Sequence, residues 1–218
     1  MKTLFACFVA VAALALNVNA RADVVIDLGT LINGTAPPGG TPWLIADFHD
    51  MGANTVQLTM SNKMPSSDDY VHDWLFNLDR DVSNFAFAYV SGAAATATDY
   101  GVNAFNGGSQ IKGGLFDVQF TFPTPNHGRL TGGSNSVYTL SGTGLTAADF
   151  MAFSVNDSGN PPSSGGWESA AEVRGYGGSG SIGAPNPAPE PMTLSLAAFV
   201  VLLGRSKKRR ASQRMGTR

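Results

Sequence analysis

Apolar and polar residues exchange places every second position through most of this chain, and helical spacing is almost absent between Asp23 and Ala184. A period of two marks strands that bury one face. The cleanest run is Gly114–Phe122. Phe116, Val118, Phe120 and Phe122 share one face, and Asp117, Gln119 and Thr121 share the other. Asn54–Ser61 places Val56, Leu58 and Met60 opposite Thr55, Gln57 and Thr59. Asp73–Asp79 turns Trp74, Phe76 and Leu78 inward and Asp73 and Asn77 outward, and Phe85, Phe87 and Tyr89 continue the pattern. Val24–Leu28, Trp43–Phe48, Val137–Ser141 and the segment through Phe150, Phe153 and Val155 add shorter strands. Val137–Ser141 is expected beside Phe116–Phe122 as a hairpin. Thr146–Asp149 predicts one helical turn, with Thr146 capping and Asp149 reaching back. Trp167–Tyr176 predicts a last edge strand.

Gly, Pro, Asn and Ser punctuate these runs. Asn33–Pro42, Asn126–Gly133 and Gly159–Gly166 predict loops. Ser91–Ser109 predicts a long loop or a weak edge hairpin, and Gly177–Gly183 a flexible linker. Eight or nine short strands with an aromatic inner face predict an all-β fold. The architecture expected is an antiparallel β-sandwich, jelly-roll-like in type. Each large side chain on that face stabilises by roughly 1.5–3 kcal/mol on burial.

The two ends follow other rules. Met1–Ala22 has a charged start at Lys2, an apolar run from Leu4 to Leu16, and small-x-small sites ending at Ala20 and Ala22. That is the form of a secretory signal peptide, with cleavage expected between Ala22 and Asp23. Cys7 is the only cysteine and would leave with it. The exported body then has no disulfide, thiolate ligand or cysteine nucleophile. At the other end, proline excludes helix and strand from Pro185–Pro191. An apolar segment of 13 residues follows, 192–204, about 20 Å long if helical. Arg205, Lys207, Lys208, Arg209 and Arg210 close it with a basic stop-transfer cluster that stays cytoplasmic.

Pro189-Glu190-Pro191, an apolar segment and an Arg/Lys cluster, in that order, resemble the PEP-CTERM sorting signal of exopolysaccharide-producing Gram-negative bacteria. The resemblance implies export by the general secretory route and transient anchoring in the inner membrane. It also implies recognition by the protease-transpeptidase exosortase and delivery to the cell surface or extracellular matrix. Pro189, Glu190 and Pro191 would be the recognition motif. The body stretches NTVQLTMSN, WLFNLD, GLFDVQFTF and GTGLTAADF resemble a recurrent ectodomain of such proteins, which implies fold and location alone. The expected organisation is therefore a signal peptide (1–22), a β-sandwich ectodomain (23–176) and a Gly/Pro-rich linker (177–188). A sorting signal (189–210) and a basic tail (211–218) complete it.

Both ends distort the charge. The whole chain carries 14 basic and 16 acidic residues, yet only Lys63, Arg80, Lys112, Arg129 and Arg174 are basic within the body. All 16 acidic residues lie between Asp23 and Glu190, so the body sits near −11. Such a surface repels phosphate and excludes nucleic acid as a partner.

Candidate chemistry is sparse. His49 and Asp47 would share a strand face as a metal pair. Asp68, Asp69, Asp73, Asp79 and Asp81 cluster along the sequence. Of these, Asp79 and Asp81 with backbone carbonyls are the candidates for Ca2+, the one cofactor considered. Gly175–Gly180 matches GxGxxG, but no helix follows it. There is no HExxH or GxSxG. Trp43, Tyr70, Tyr100, Trp167 and Tyr176 lie in or beside loops, where exposed rings would stack on sugars. The expected function is a secreted or cell-surface, non-enzymatic protein associated with exopolysaccharide and biofilm matrix, with no catalytic residues. A carbohydrate-binding module using loop aromatics and a matrix glycan hydrolase are the alternatives.

Overall fold

The structure is a computed structural model that describes residues 23–106, 111–160, 162 and 165–185. Signal cleavage at Ala22, the motif Pro189-Glu190-Pro191, the apolar segment and the cluster from Arg205 to Arg210 lie outside the described residues. The described body is all-β, in two sheets whose pairings are antiparallel throughout. Among the described residues no helix is long and apolar enough to cross a membrane.

The first sheet contains β1 (Asp23–Leu28), β3 (Leu44–Gly52), β4 (Thr55–Asn62) and β6 (Ala86–Gly92), with β10 (Asn135–Ser141) between β4 and β6. The second runs in the order β2 (Thr30–Gly34), β12 (Gly178–Pro185), β11 (Trp167–Gly175), β5 (Tyr70–Phe76), β8 (Phe116–Thr121) and β7 (Ala97–Phe105). The short β9 (Leu130–Thr131) also pairs with β5. A 3-10 turn, Ala147–Met151, follows β10.

The alternation read from the sequence decides which side chains go inside. Val56, Leu58 and Met60 of β4 are fully buried, as are Trp74 and Phe76 of β5 and Val118 and Phe120 of β8. They join one hydrophobic core supplied by both sheets. Phe48 of the first sheet meets Phe76 of the second edge-to-face at 5.3 Å, and Phe150 of the 3-10 turn stacks on Phe48 at 4.1 Å. Phe120 of β8 meets Tyr138 of β10 at 5.1 Å. The turn itself forms as expected, and the Thr146 N–H donates to the Asp149 carboxylate at 2.8 Å.

Several expectations are corrected. β8 and β10 are not a hairpin. They belong to different sheets and face each other across the core. Phe116 leaves the company of Val118 and Phe120 for a second cluster with Leu75, Ile111, Trp167 and Ala170. Between Phe150 and Val155 there is a turn and a single bridge from Val155 to Leu115 instead of a strand. Part of Ser91–Ser109 is the edge strand β7, which pairs with β8. Thr30–Gly34, at the start of an expected loop, is the edge strand β2.

The largest correction concerns Gly178–Pro185. Within the expected linker 177–188, this segment is strand β12, hydrogen-bonded to β11 on one side and β2 on the other. β11 is consequently an interior strand, and the folded body extends past Tyr176 to Pro185. The Gly/Ser composition reflects close approach. A Cβ on Gly183 would lie 2.6 Å from the Trp167 ring and 2.8 Å from Ile32. A Cβ on Gly180 would run into the Thr35 carbonyl. Ile182 and Ala184 point the other way, into the core.

Gly183→Ala should therefore destabilise the body by about 1–3 kcal/mol, the usual cost of overpacking. Urea unfolding followed by tryptophan fluorescence measures it, and an unchanged midpoint would mean that β12 is not docked as described.

Candidate functional site

The outer face of the second sheet carries a polar cluster where the pattern would place solvent. Val71 and Trp74 of β5 both enter the core, so the two residues between them face away from it. A bulge makes this possible. Glu172 of β11 pairs with Asp73 and Val173 with Val71, which leaves His72 as the extra residue. The bulge sets His72 beside Asp73 and against Glu172. The His72 Nδ1 lies 2.9 Å from Asp73 Oδ2 and 3.2 Å from Glu172 Oε2.

Each carboxylate is held from behind. Asp73 Oδ1 accepts from the Thr121 hydroxyl at 2.7 Å and from the Gln119 amide at 3.2 Å. Glu172 Oε1 accepts from Arg174 Nε at 2.7 Å. That bond, against the cost of burial, raises Arg174 above its ordinary value. The Glu172 and Asp73 side chains are only 4% and 11% exposed, whereas that of His72 is 22% exposed and forms the opening. Nearby, burial and the charges of Asp69 and Glu172 push the Tyr176 hydroxyl up to about 12. Among the described residues these three side chains are the group with metal-ligand spacing.

A second feature is an open cleft of about 630 Å³ at one end of the first sheet. The ends of β4 and β6 and the start of β10 form it with residues 128–134. Ser61, Asn62, Ser134 and Asn135 line it with polar groups, and Lys63 and Arg129 supply charge. None of its lining residues is acidic or a histidine. Gly92, at φ 84°, is required there, because a Cβ would strike the Asn135 carbonyl. Arg129 is oriented by the Thr124 carbonyl, which accepts from its Nε at 2.6 Å, and by the Tyr70 ring 3.9 Å below the guanidinium.

The residues singled out in the sequence are placed differently. His49 pairs with Asp23 across β1 and β3, so its partner is not Asp47. Asp81 accepts from the Tyr100 hydroxyl at 2.8 Å. Asp79 lies 3.9 Å from Arg80, which forks onto Asp149 at 3.2 and 2.9 Å. Arg80 also donates to the Gly144 and Thr143 carbonyls. Asp79 and Asp81 thus have separate neighbours, Arg80 for the first and Tyr100 for the second.

Of the loop aromatics, Trp43, Trp167 and Tyr100 pack into the body, and the Tyr70 ring lies under Arg129. Trp43 and Trp167 are each 7% exposed, and Tyr100 stacks on Phe85 at 4.5 Å. Tyr176 donates to the Thr35 carbonyl at 3.0 Å. Of the Gly175–Gly180 glycines, Gly177 lies in the tight turn between β11 and β12, and Gly175, Gly178 and Gly180 lie in the strands on either side. Sequence reasoning passed over His72 and Glu172, which lie 100 residues apart. Asp73 stood in the sequence as an outward charge and as one of the acidic run Asp68–Asp81, without its histidine and glutamate neighbours.

No protein-family model, curated protein or solved structure matches the chain.

The Arg80–Asp149 fork carries a pH-dependent prediction. Burial pushes Asp149 up. The Arg80 hydrogen bond, the Thr146 N–H and the Arg80 charge outweigh burial and hold the carboxyl below 3.8. A depressed carboxylate contributes stability that is present above the unfolded value and is lost as pH falls through the folded value. Asp149→Asn should cost about 1–2 kcal/mol at pH 7, and the gap to the parent should narrow in acid below the ordinary Asp range. Urea midpoints at neutral and acid pH measure this; an equal cost at both would rule out the ionic part.

Proposed function

We propose that the protein is a secreted or cell-surface β-sandwich, jelly-roll-like in type, that is sorted by exosortase and binds matrix exopolysaccharide without acting on it as an enzyme. The chain's crossings between two sheets that share one core support the sandwich. The order of the Pro189-Glu190-Pro191 motif, apolar segment and basic cluster supports the route. The expected cleavage at Ala22 and the sorting motif both lie outside the described strands, which run from Asp23 to Pro185, so both cuts would leave those strands whole.

The observation that carries the binding function is the cleft. The body has five basic residues, and two of them, Lys63 and Arg129, line this open cleft. Acidic residues outnumber basic ones in the rest of the body, so a polyanion meets two cations and no carboxylate in this cleft. Cations surrounded by amide and hydroxyl groups suit a glycan bearing carboxylates. The lack of a carboxylate or imidazole in the lining disfavours hydrolysis, which requires a general acid. The same cleft replaces the loop aromatics as the recognition surface of a carbohydrate-binding module.

Binding to an acidic polysaccharide such as alginate should exceed binding to neutral dextran and should weaken with salt. Lys63→Ala should lower the affinity about fivefold, equivalent to roughly 1 kcal/mol. Equal binding to the neutral polymer, or none to either, would refute the cleft. Mass spectrometry of the exported protein tests the route separately: a chain ending upstream of Arg205 is expected, and an intact basic cluster would sink the sorting step.

A further inference from the structure

We propose that His72, Asp73 and Glu172 form a binding site for a divalent transition-metal ion, with zinc and manganese the fitting species. Three donor atoms from two neighbouring strands converge: one imidazole nitrogen and two carboxylate oxygens, all within 4.8 Å of one another. Ligands about 2.1 Å from a tetrahedral zinc stand about 3.4 Å apart. The 2.9 and 3.2 Å separations from His72 Nδ1 are close to that spacing.

The surroundings have the form of a metal site's outer layer. Thr121 and Gln119 hold the far oxygen of Asp73, and Arg174 holds the far oxygen of Glu172. Each bond turns the near oxygen toward His72, as outer partners do for metal-bound carboxylates. The bulge in β5 serves the same end, because without it His72 would not share a face with Asp73.

Charge points the same way. Two nearly buried carboxylates are costly to hold together. One N–H of His72 lies between two acceptors and cannot serve both fully. A dication with a neutral imidazole meets both oxygens at once. The donor set selects among ions. The imidazole nitrogen suits zinc and the two carboxylates suit manganese as well, whereas calcium takes six to eight oxygens. The exposed side at His72 leaves room for water to complete the coordination.

The test is equilibrium dialysis of the full chain against micromolar zinc or manganese, with metal content measured by mass spectrometry and stability by thermal unfolding. One equivalent retained and a higher Tm are expected. His72→Gln and Glu172→Gln should each weaken retention at least about tenfold. His49→Gln, which changes the other paired histidine, should leave it intact. If Glu172→Gln does not fold, His72→Gln at the partly open position decides alone. No retained metal, retention unaffected by His72→Gln, or stabilisation by calcium only would overturn the site. None of these outcomes bears on polysaccharide binding at the cleft, where His72 has no part.

Discussion

Phe120 is the point on which the two sheets depend. It projects from β8 into the space between them, 5.4 Å from Phe87 and 5.1 Å from Tyr138 of the opposite sheet and 6.1 Å from Phe76 of its own. The chain's single cysteine is Cys7, so no internal disulfide ties the sheets together. Burial of this aromatic layer has to hold them. A sheet that commits every second residue to such a layer has the alternate residues free for other uses. On the second sheet one part of that face became a small apolar cluster around Leu75 and Trp167, and another became the polar group around His72. The site is thus a by-product of the core's regularity, modified by one bulge.

Alternation in sequence says which side of a strand is inside. It does not say which strand lies next to which. That is why β3, β4, β5 and β8 were legible and why β8 was paired wrongly with β10. Both strands bury one face against the same core, and nothing local distinguishes a neighbour in the sheet from a partner across it. β12 was illegible for another reason. Gly and Ser fill Gly178–Ser181 on both faces and Gly183 stands on the outer one, so the apolar–polar contrast that marks a strand is missing there. The sequence reads as linker until Trp167 and Ile32 are seen to fill the space a side chain would need.

The candidate site was legible in neither composition nor spacing. His72 and Asp73 are sequence neighbours, which in a regular strand point to opposite faces. Only the bulge puts them together, and only the register of β11 against β5 brings Glu172 to them. The cleft was hidden differently. Lys63 and Arg129 are unremarkable alone, and their meaning comes from the scarcity of other cations once the two ends are set aside. The two features divide the protein's surface by charge, with cations at one end of the first sheet and a buried anionic pair on the face of the second.

The position of β12 has a consequence for how the body is completed. Among the described residues β2 hydrogen-bonds to no strand except β12, so Gly34 waits for Gly180 before that edge of the sheet exists. β2 lies near the start of the described body and β12 at its end. Contacts between such distant segments are slow to form, because a long loop must close first. Until then Ile32 and the face of Trp167 lack their covering strand. The strand that closes this edge is the last strand of the described body, so the edge is completed only when every other strand is already in the chain.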